Sequence, residues 1–310
     1  MTNIFKGKRV VVTGANGFIG AHLVTAMELE GADVFALVRK QSDLTRLMKL
    51  NSGASRINAD LLDHARVTHK LKAVRPHYVF HTAVSRGYQN WTETLEVNGV
   101  ATLNLLRACL SPSLQKFVHC GSSLEYGAIK APFRESDAIR PESLFGASKA
   151  AASLQLQQLA RSKGLPLAIL RFFHVYGPME SAHRLVPTAI RSFLTGLPMT
   201  LTKPGYHHDF VYVGDVVKAC LLVAAKDNLS GQIFNIASGN PVSNEKVIAL
   251  ISAITNKRTE IKTGAFAPRE WDKADWFADI SKAREQLGWQ PDTNLQDGLQ
   301  QCVTWYLENE

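Results

Sequence analysis

Short runs of β-branched and apolar residues alternate with helical spacings through the first half of the chain. Arg9 to Gly14 reads RVVVTG, a brief valine-rich run of the kind that forms a buried strand. From Phe18 to Gly31, Ile19, Leu23, Ala26 and Met27 fall at the intervals of one helix face. DVFALV (Asp33 to Val38), HYVFHTA (His77 to Ala83), KFVHCGS (Lys116 to Ser122) and PLAILRFF (Pro166 to Phe173) repeat the strand-like pattern. Val97 to Cys109 repeats the helical one. Strands alternating with helices predict an α/β fold: a doubly wound parallel sheet with helices on both faces.

After about residue 174 the rhythm weakens. Pro178, Pro187, Pro198, Pro204, Pro241, Pro268 and Pro291 punctuate this half. The expected organisation is a sheet domain over 1–173 and a smaller mixed α/β lobe over 174–310. Some segments of the second half should return to the sheet.

Composition narrows the class. The chain has 310 residues, 45% hydrophobic and 20% charged, which is ordinary for a globular protein. No apolar run approaches the roughly 20 residues of a membrane span. The opening MTNIFKGKRVVVTG enters a strand without an apolar leader. Cys109, Cys120, Cys220 and Cys302 are far apart and form no C-x-x-C pair. They read as reduced, buried thiols of a cytoplasmic protein, with neither a zinc site nor a disulfide framework. The net charge of +8 is scattered, without a run of five or six basic residues. That argues against a nucleic-acid surface and suits an anionic small ligand.

Gly14, Gly17 and Gly20 form G-x-x-G-x-x-G between the first predicted strand and the first predicted helix. In that context the first glycine permits a tight turn and the second lets the backbone approach a pyrophosphate. The third lets helix and strand pack closely. Main-chain N–H groups and the helix dipole then receive the anion. Asn16, Phe18 and Ile19 lie in the same loop and helix start. A dinucleotide is therefore the expected cofactor. An NAD site usually ends its second strand in an acid for the ribose 2′-OH. Here ALVRKQSD places Val38 at that position, followed by Arg39 and Lys40. A guanidinium suits a 2′-phosphate, so NADP(H) is favoured over NAD(H). Asp60 and Leu61, after the third strand, are expected beside the adenine.

The pieces TGANGFIG, HTAVS, VNGVATLNLLRAC, GSSLEYG, FGASK, LRFFHVYGP, HDFVYVGDVV, FNIASG and DISKAREQLGWQP occur in order over nearly the whole length. In this the chain resembles the extended short-chain dehydrogenases/reductases of the NAD(P)-dependent epimerase/dehydratase family, which act on nucleotide-linked sugars. The resemblance implies a Rossmann-type fold and a Ser/Tyr/Lys site. Ser122 stands at the position of the family's active-site Ser or Thr. Lys149 stands at that of the Lys that holds the nicotinamide ribose. Thr82, Ala83, Val84 and Phe173 would also touch the coenzyme. Ser85, Ser123, His174, Arg184, His208 and Arg269 would touch the nucleotide sugar. A homodimer paired through two helices is implied as well.

One letter departs from this pattern. Phe145 occupies the place of the catalytic Tyr, four residues before Lys149 and so on the same helix face. A phenyl ring has no proton to give. Three accounts fit the sequence: an engineered Tyr→Phe trapping variant, a natural enzyme whose proton comes from Tyr126, Ser122, Ser123 or a water on Lys149, or a protein that kept the cofactor and lost the chemistry. His174 and His208 also depart, standing where the family carries Asn and Arg. Ser122 is followed by Ser123 and Leu124, not the Asp-Glu pair of the 4,6-dehydratases, which argues against dehydration. The LVRK strand end then favours C4 keto reduction of a nucleotide-linked 4-keto-6-deoxyhexose. LVRK and HCGSSLEYG resemble stretches of paratose- or abequose-type synthases. The alternatives are an NAD-dependent nucleotide-sugar 4-epimerase and a non-catalytic NADP-binding sensor.

Overall fold

A computed structural model describes residues 4–85, 90–265 and 274–309. The first half carries strands β1 (Arg9–Thr13), β2 (Asp33–Val38), β3 (Ser55–Asn58), β4 (Tyr78–His81), β5 (Lys116–Ser122) and β6 (Leu167–Phe172). Helices α1 (Phe18–Leu29), α2 (Thr45–Lys49), α3 (His64–Val74), α4 (Trp91–Leu95), α5 (Ala101–Cys109) and α6 (Leu144–Lys163) lie between them. The second half continues with β7 (His174–Tyr176), α7 (Leu185–Thr195), β8 (Met199–Leu201), β9 (His207–Tyr212), α8 (Val213–Ala225), β10 (Gln232–Ile236) and β11 (Pro241–Ser243). It ends with α9 (Asn244–Thr255), β12 (Ile261–Thr263), β13 (Asp275–Trp276) and α10 (Leu295–Asn309).

Seven strands form the main sheet in the order β10-β6-β5-β4-β1-β2-β3. β1 runs parallel to β2 and β4, β2 to β3, and β4 to β5. The doubly wound sheet expected from the alternation of patterns is present. Its order reverses beside β1, so chain connections leave β1 and β4 in opposite directions and open a crevice at their carboxyl ends. Gly14, Thr82 and the end of β5 all lie on that edge.

The chain divides into two compact units. The first comprises Met1–Gly127, Ile139–Arg171 and Val217–Phe234. The second comprises Ala128–Ala138, Phe172–Val216 and Asn235–Glu310. The first unit's core gathers Val11, Leu37, Val79 and Phe117 from the strands with Leu71, Leu105, Leu106 and Leu156 from the helices. The π-helical turn Glu96–Val100 leads into α5, where the periodicity predicted a continuous helix from Val97.

In the second unit, Val186, Ile190, Phe193, Ile248, Ile251, Leu299 and Val303 from α7, α9 and α10 close a separate core. Small strand groups β11-β9-β13, with β7 on β9, and the pair β12-β8 supply its sheets. The buried Asp209 carboxylate accepts hydrogen bonds from Ser238 N and Oγ, Gly239 N and Ala278 N, and so ties three segments together. All four cysteines are free thiols and buried. No helix among the described residues is long and apolar enough to cross a membrane.

Candidate active site

Gly14 turns the chain with φ +64°, in the left-handed region that favours glycine. A Cβ there would stand 2.7 Å from Ala83 Cα, so the loop packs bare against Thr82 and Ala83. A Cβ on Gly20 would overlap the Gly14 carbonyl oxygen. Thr82 Oγ1 donates to the Thr13 carbonyl at 2.7 Å and fixes that approach. Gly17 caps α1 without a side-chain hydrogen bond, and the first turn has no acid. The opening amides of α1 are therefore left to receive an anion, and the loop fits a dinucleotide's pyrophosphate.

Around the loop, Val38 ends β2 buried and Arg39 follows it exposed. Leu61 is buried, and Asp60 Oδ1 accepts Leu62 N at 3.0 Å. Arg46 of α2 reaches back to the loop, its Nη1 donating to the Asn16 carbonyl at 3.4 Å. Sequence reasoning missed Arg46. Its only signal was a third basic residue, after Arg39 and Lys40, in the segment that follows β2.

Ser122, Phe145 and Lys149 all belong to the first unit. Ser122 ends β5, and its backbone N–H donates to Glu125 Oε1 at 2.9 Å. The Ser122 hydroxyl oxygen accepts Leu124 N at 3.2 Å, so its own proton can be donated outward. Glu125 Oε2 receives Arg171 Nε at 2.9 Å, with both side chains buried. The Arg171 guanidinium lies 4.5 Å from the Tyr126 ring centroid. Phe145 and Lys149 rise from the first turns of α6, 9% and 3% exposed. Gly146 between them has no room for a Cβ, which would overlap the Leu124 carbonyl oxygen. The helix thus meets the turn after Ser122 backbone to backbone.

Asn98 fastens α6 to the segment after β4. Its side chain brackets the Ser85 peptide, accepting from Ser85 N at 2.9 Å and donating to Ser85 O at 3.0 Å. It also donates to Ser148 Oγ, which donates to the Phe145 carbonyl. Asn98 sits in the π-helical turn, a distortion frequent at functional positions.

Below this edge, Thr13, His81 and His119 stand opposite one another on β1, β4 and β5. Thr13 Oγ1 and His81 Nδ1 are 2.7 Å apart, and His81 Nε2 and Thr102 Oγ1 are 2.8 Å apart. His119 Nε2 is 3.3 Å from Lys149 Nζ. Burial, with the Lys149 charge nearby, pushes His81 down to about 3 and His119 well below the ordinary histidine value. Both rings are neutral in the fold. A histidine that binds its proton more weakly folded than unfolded gives stability that is complete above 6.5 and lost as pH falls towards the folded value. Denaturant titrations should show this contribution level from pH 7.5 to about 6.5, and from about pH 5.5 to 4.5 falling by about 1.4 kcal/mol per unit for each such ring. A flat profile would mean that these histidines are charged in the fold.

Of the remaining expected residues, some belong to the first unit and some to the second. Ser123 is buried in the turn after Ser122, and Val84 and Ser85 follow β4. Phe173, His174, Arg184 and His208 belong to the second unit. There the His174 and His208 rings are 4.2 Å apart and tilted by 36°. His174 is held well below the ordinary value by burial and then by His208 and Arg184. Arg184 Nε pairs with Glu180 at 3.3 Å. Arg269 lies outside the described residues.

Known proteins share this architecture. UDP-glucuronate 4-epimerase 4 of Arabidopsis thaliana is 30% identical over 99% of this chain and 77% of its own length. The UDP-glucose 4-epimerase of Thermotoga maritima, solved with UDP-glucose, has a TM-score of 0.89 at 28% identity, covering 97% of this chain and 99% of that one. The UDP-glucose 4-epimerase of Thermus thermophilus, solved with NAD, has a TM-score of 0.87 at 29% identity, covering 97% and 100%. The profile described as "NAD dependent epimerase/dehydratase family" matches residues 10–237. Sheet, glycine loop and ordered motifs agree with that match, and the chain belongs to the NAD-dependent epimerase/dehydratase family of extended short-chain dehydrogenases/reductases.

Proposed function

We propose that the chain is an NADP(H)-dependent oxidoreductase of a nucleotide-linked hexose, reducing the C4 ketone of a 4-keto-6-deoxyhexose. The observation that carries this reading is the end of β2. It has no acid for a ribose 2′-OH, Arg39 follows it, and Arg46 reaches Asn16 in the glycine loop. Two guanidinium groups there suit a 2′-phosphate. The coenzyme supplies a hydride to C4, and a proton must reach the C4 oxygen. Ser122 is assigned to hydrogen-bond that oxygen, and Lys149 to hold the nicotinamide ribose. Phe145 supplies shape without a proton. Ser123 and Leu124 carry no carboxylate, so an elimination of water would lack its acid and base. The nucleotide is assigned to His174, Arg184 and His208 of the second unit, with Arg269. A homodimer belongs to the same proposal. Trp91, Leu95, Val100 and Leu154, on α4, the π turn and α6, expose apolar side chains that a second copy would cover.

A second reading, a 4-epimerase with retained NAD, is favoured by the similar epimerases, one of them solved with NAD. The test is to strip the protein of small molecules and titrate NADPH and NADH. Coenzyme oxidation is then followed with a dTDP- or UDP-linked 4-keto-6-deoxyglucose. NADPH consumption supports reduction. Interconversion of UDP-glucose and UDP-galactose on bound NAD, without net coenzyme consumption, supports epimerisation. Coenzyme binding with neither reaction, here and in the Phe145→Tyr variant, leaves a sensor.

Arg46→Ala should weaken NADPH at least about tenfold, the lower end for hydrogen bonds to a charged group, and leave NADH unchanged. Fluorescence titration of both reduced coenzymes measures this. Equal loss for both would mean that Arg46 serves only the loop.

A further inference from the structure

His81 and His119 are neighbours in register with rings 5.4 Å apart, yet they are bonded differently. Thr102 Oγ1 donates to the Asn98 carbonyl at 2.8 Å, so towards His81 its oxygen accepts. His81 therefore carries its proton on Nε2, and Nδ1 accepts from Thr13. Thr13 Oγ1 in turn accepts Ala83 N at 3.3 Å. Both nitrogens of His81 are satisfied within the sheet and α5, as expected of a buried histidine with a structural role.

His119 does not follow that rule. Its Nδ1 is buried without a hydrogen-bond partner among the described residues. Among the described residues its one hydrogen-bond contact through the side chain is Lys149. An ammonium has only donors and a neutral imidazole has one acceptor nitrogen, so Nε2 must accept and the proton must sit on Nδ1. The ring thus leaves a buried N–H unpaired while its acceptor faces Lys149. A buried donor without a partner is unfavourable, and each such exception calls for an explanation, a functional role among them.

We propose that His119 is a positioning residue, a neutral acceptor that fixes the Lys149 ammonium beneath the coenzyme's ribose. In this chain the neighbour at position 145 is a phenyl ring and offers Lys149 no hydroxyl. The inference rests on the assignment of Lys149 to the coenzyme given under Proposed function.

Two measurements test it. Long-range nitrogen–proton spectra of the unsubstituted protein with labelled histidine should find His119 as the Nδ1–H tautomer. Its Nε2 resonance should move in Lys149→Met. An Nε2–H tautomer, or an Nε2 resonance indifferent to Lys149→Met, overturns the proposal. NADPH titration is the second measurement. His119→Leu should weaken binding about tenfold, and His119→Gln, whose amide oxygen can accept, should stay within about threefold. His119→Leu should add nothing in the Lys149→Met background. Equal losses in both backgrounds would make His119 a packing residue only. If the unsubstituted protein bound no nicotinamide coenzyme, the functional reading would fall, while the tautomer would still decide the Lys149 contact.

Discussion

Phe145→Tyr is expected to raise the rate of NADPH oxidation with a 4-keto nucleotide sugar by at least about tenfold. The argument is chemical. Hydride addition to C4 leaves an alkoxide that must be protonated, and a positioned acid contributes typically ~10²–10⁴ in rate. Phe145 is nearly buried in the first turn of α6, four residues from Lys149. A hydroxyl added to the ring would stand on the same helix face as the ammonium, whose charge lowers a phenol below its usual value near ~10. The pH–rate profile should therefore gain a limb below that value. An unchanged rate and profile would show that position 145 delivers no proton to this substrate.

Arg171→Met is expected to destabilise the protein by about 3–5 kcal/mol, because it leaves a carboxylate buried without its cation. Glu125 accepts from Ser122 N and Arg171 Nε and is fully buried, so water cannot replace the lost partner. Chemical denaturation measures the loss. The double variant Glu125→Leu with Arg171→Met should recover much of it, since an apolar pair can replace a buried ion pair at little cost. Activity should not return with stability, because Ser122 N loses its acceptor and the turn that aims the hydroxyl loosens. If Arg171→Met alone is as stable as the parent, the pair contributes nothing to the fold. If the double variant regains full activity, the Ser122 contact is incidental.

These two cases mark what the chain's letters disclose. The glycine loop was legible because its close packing depends on side chains being absent, and Gly14 and Gly20 could carry none. The alternation of strands and helices was legible because burial on both sheet faces demands apolar runs. The pairing of β10 with β6 was not, because periodicity records successive elements and not which strand lies beside which. Arg46 was missed for the same reason. It lies thirty residues from Asn16 in sequence and 3.4 Å from its carbonyl in space. The row Thr13, His81 and His119 depends on register across three strands, which no local pattern encodes. In HDFVYVGDVV, Asp209 and Asp215 are structural acceptors, the second receiving Asp292 N and Thr293 N. A motif's letters can mark the frame as well as the chemistry.

The bare meeting of Gly146 with the Leu124 carbonyl has a corollary for position 145. Peptide units cannot swap rotamers, so the spacing they set survives whatever ring stands next door. The helix start and the turn after Ser122 are therefore held by main chain and do not depend on the side chain at 145. A substitution at 145 should then be read in the chemistry before it is read in the architecture.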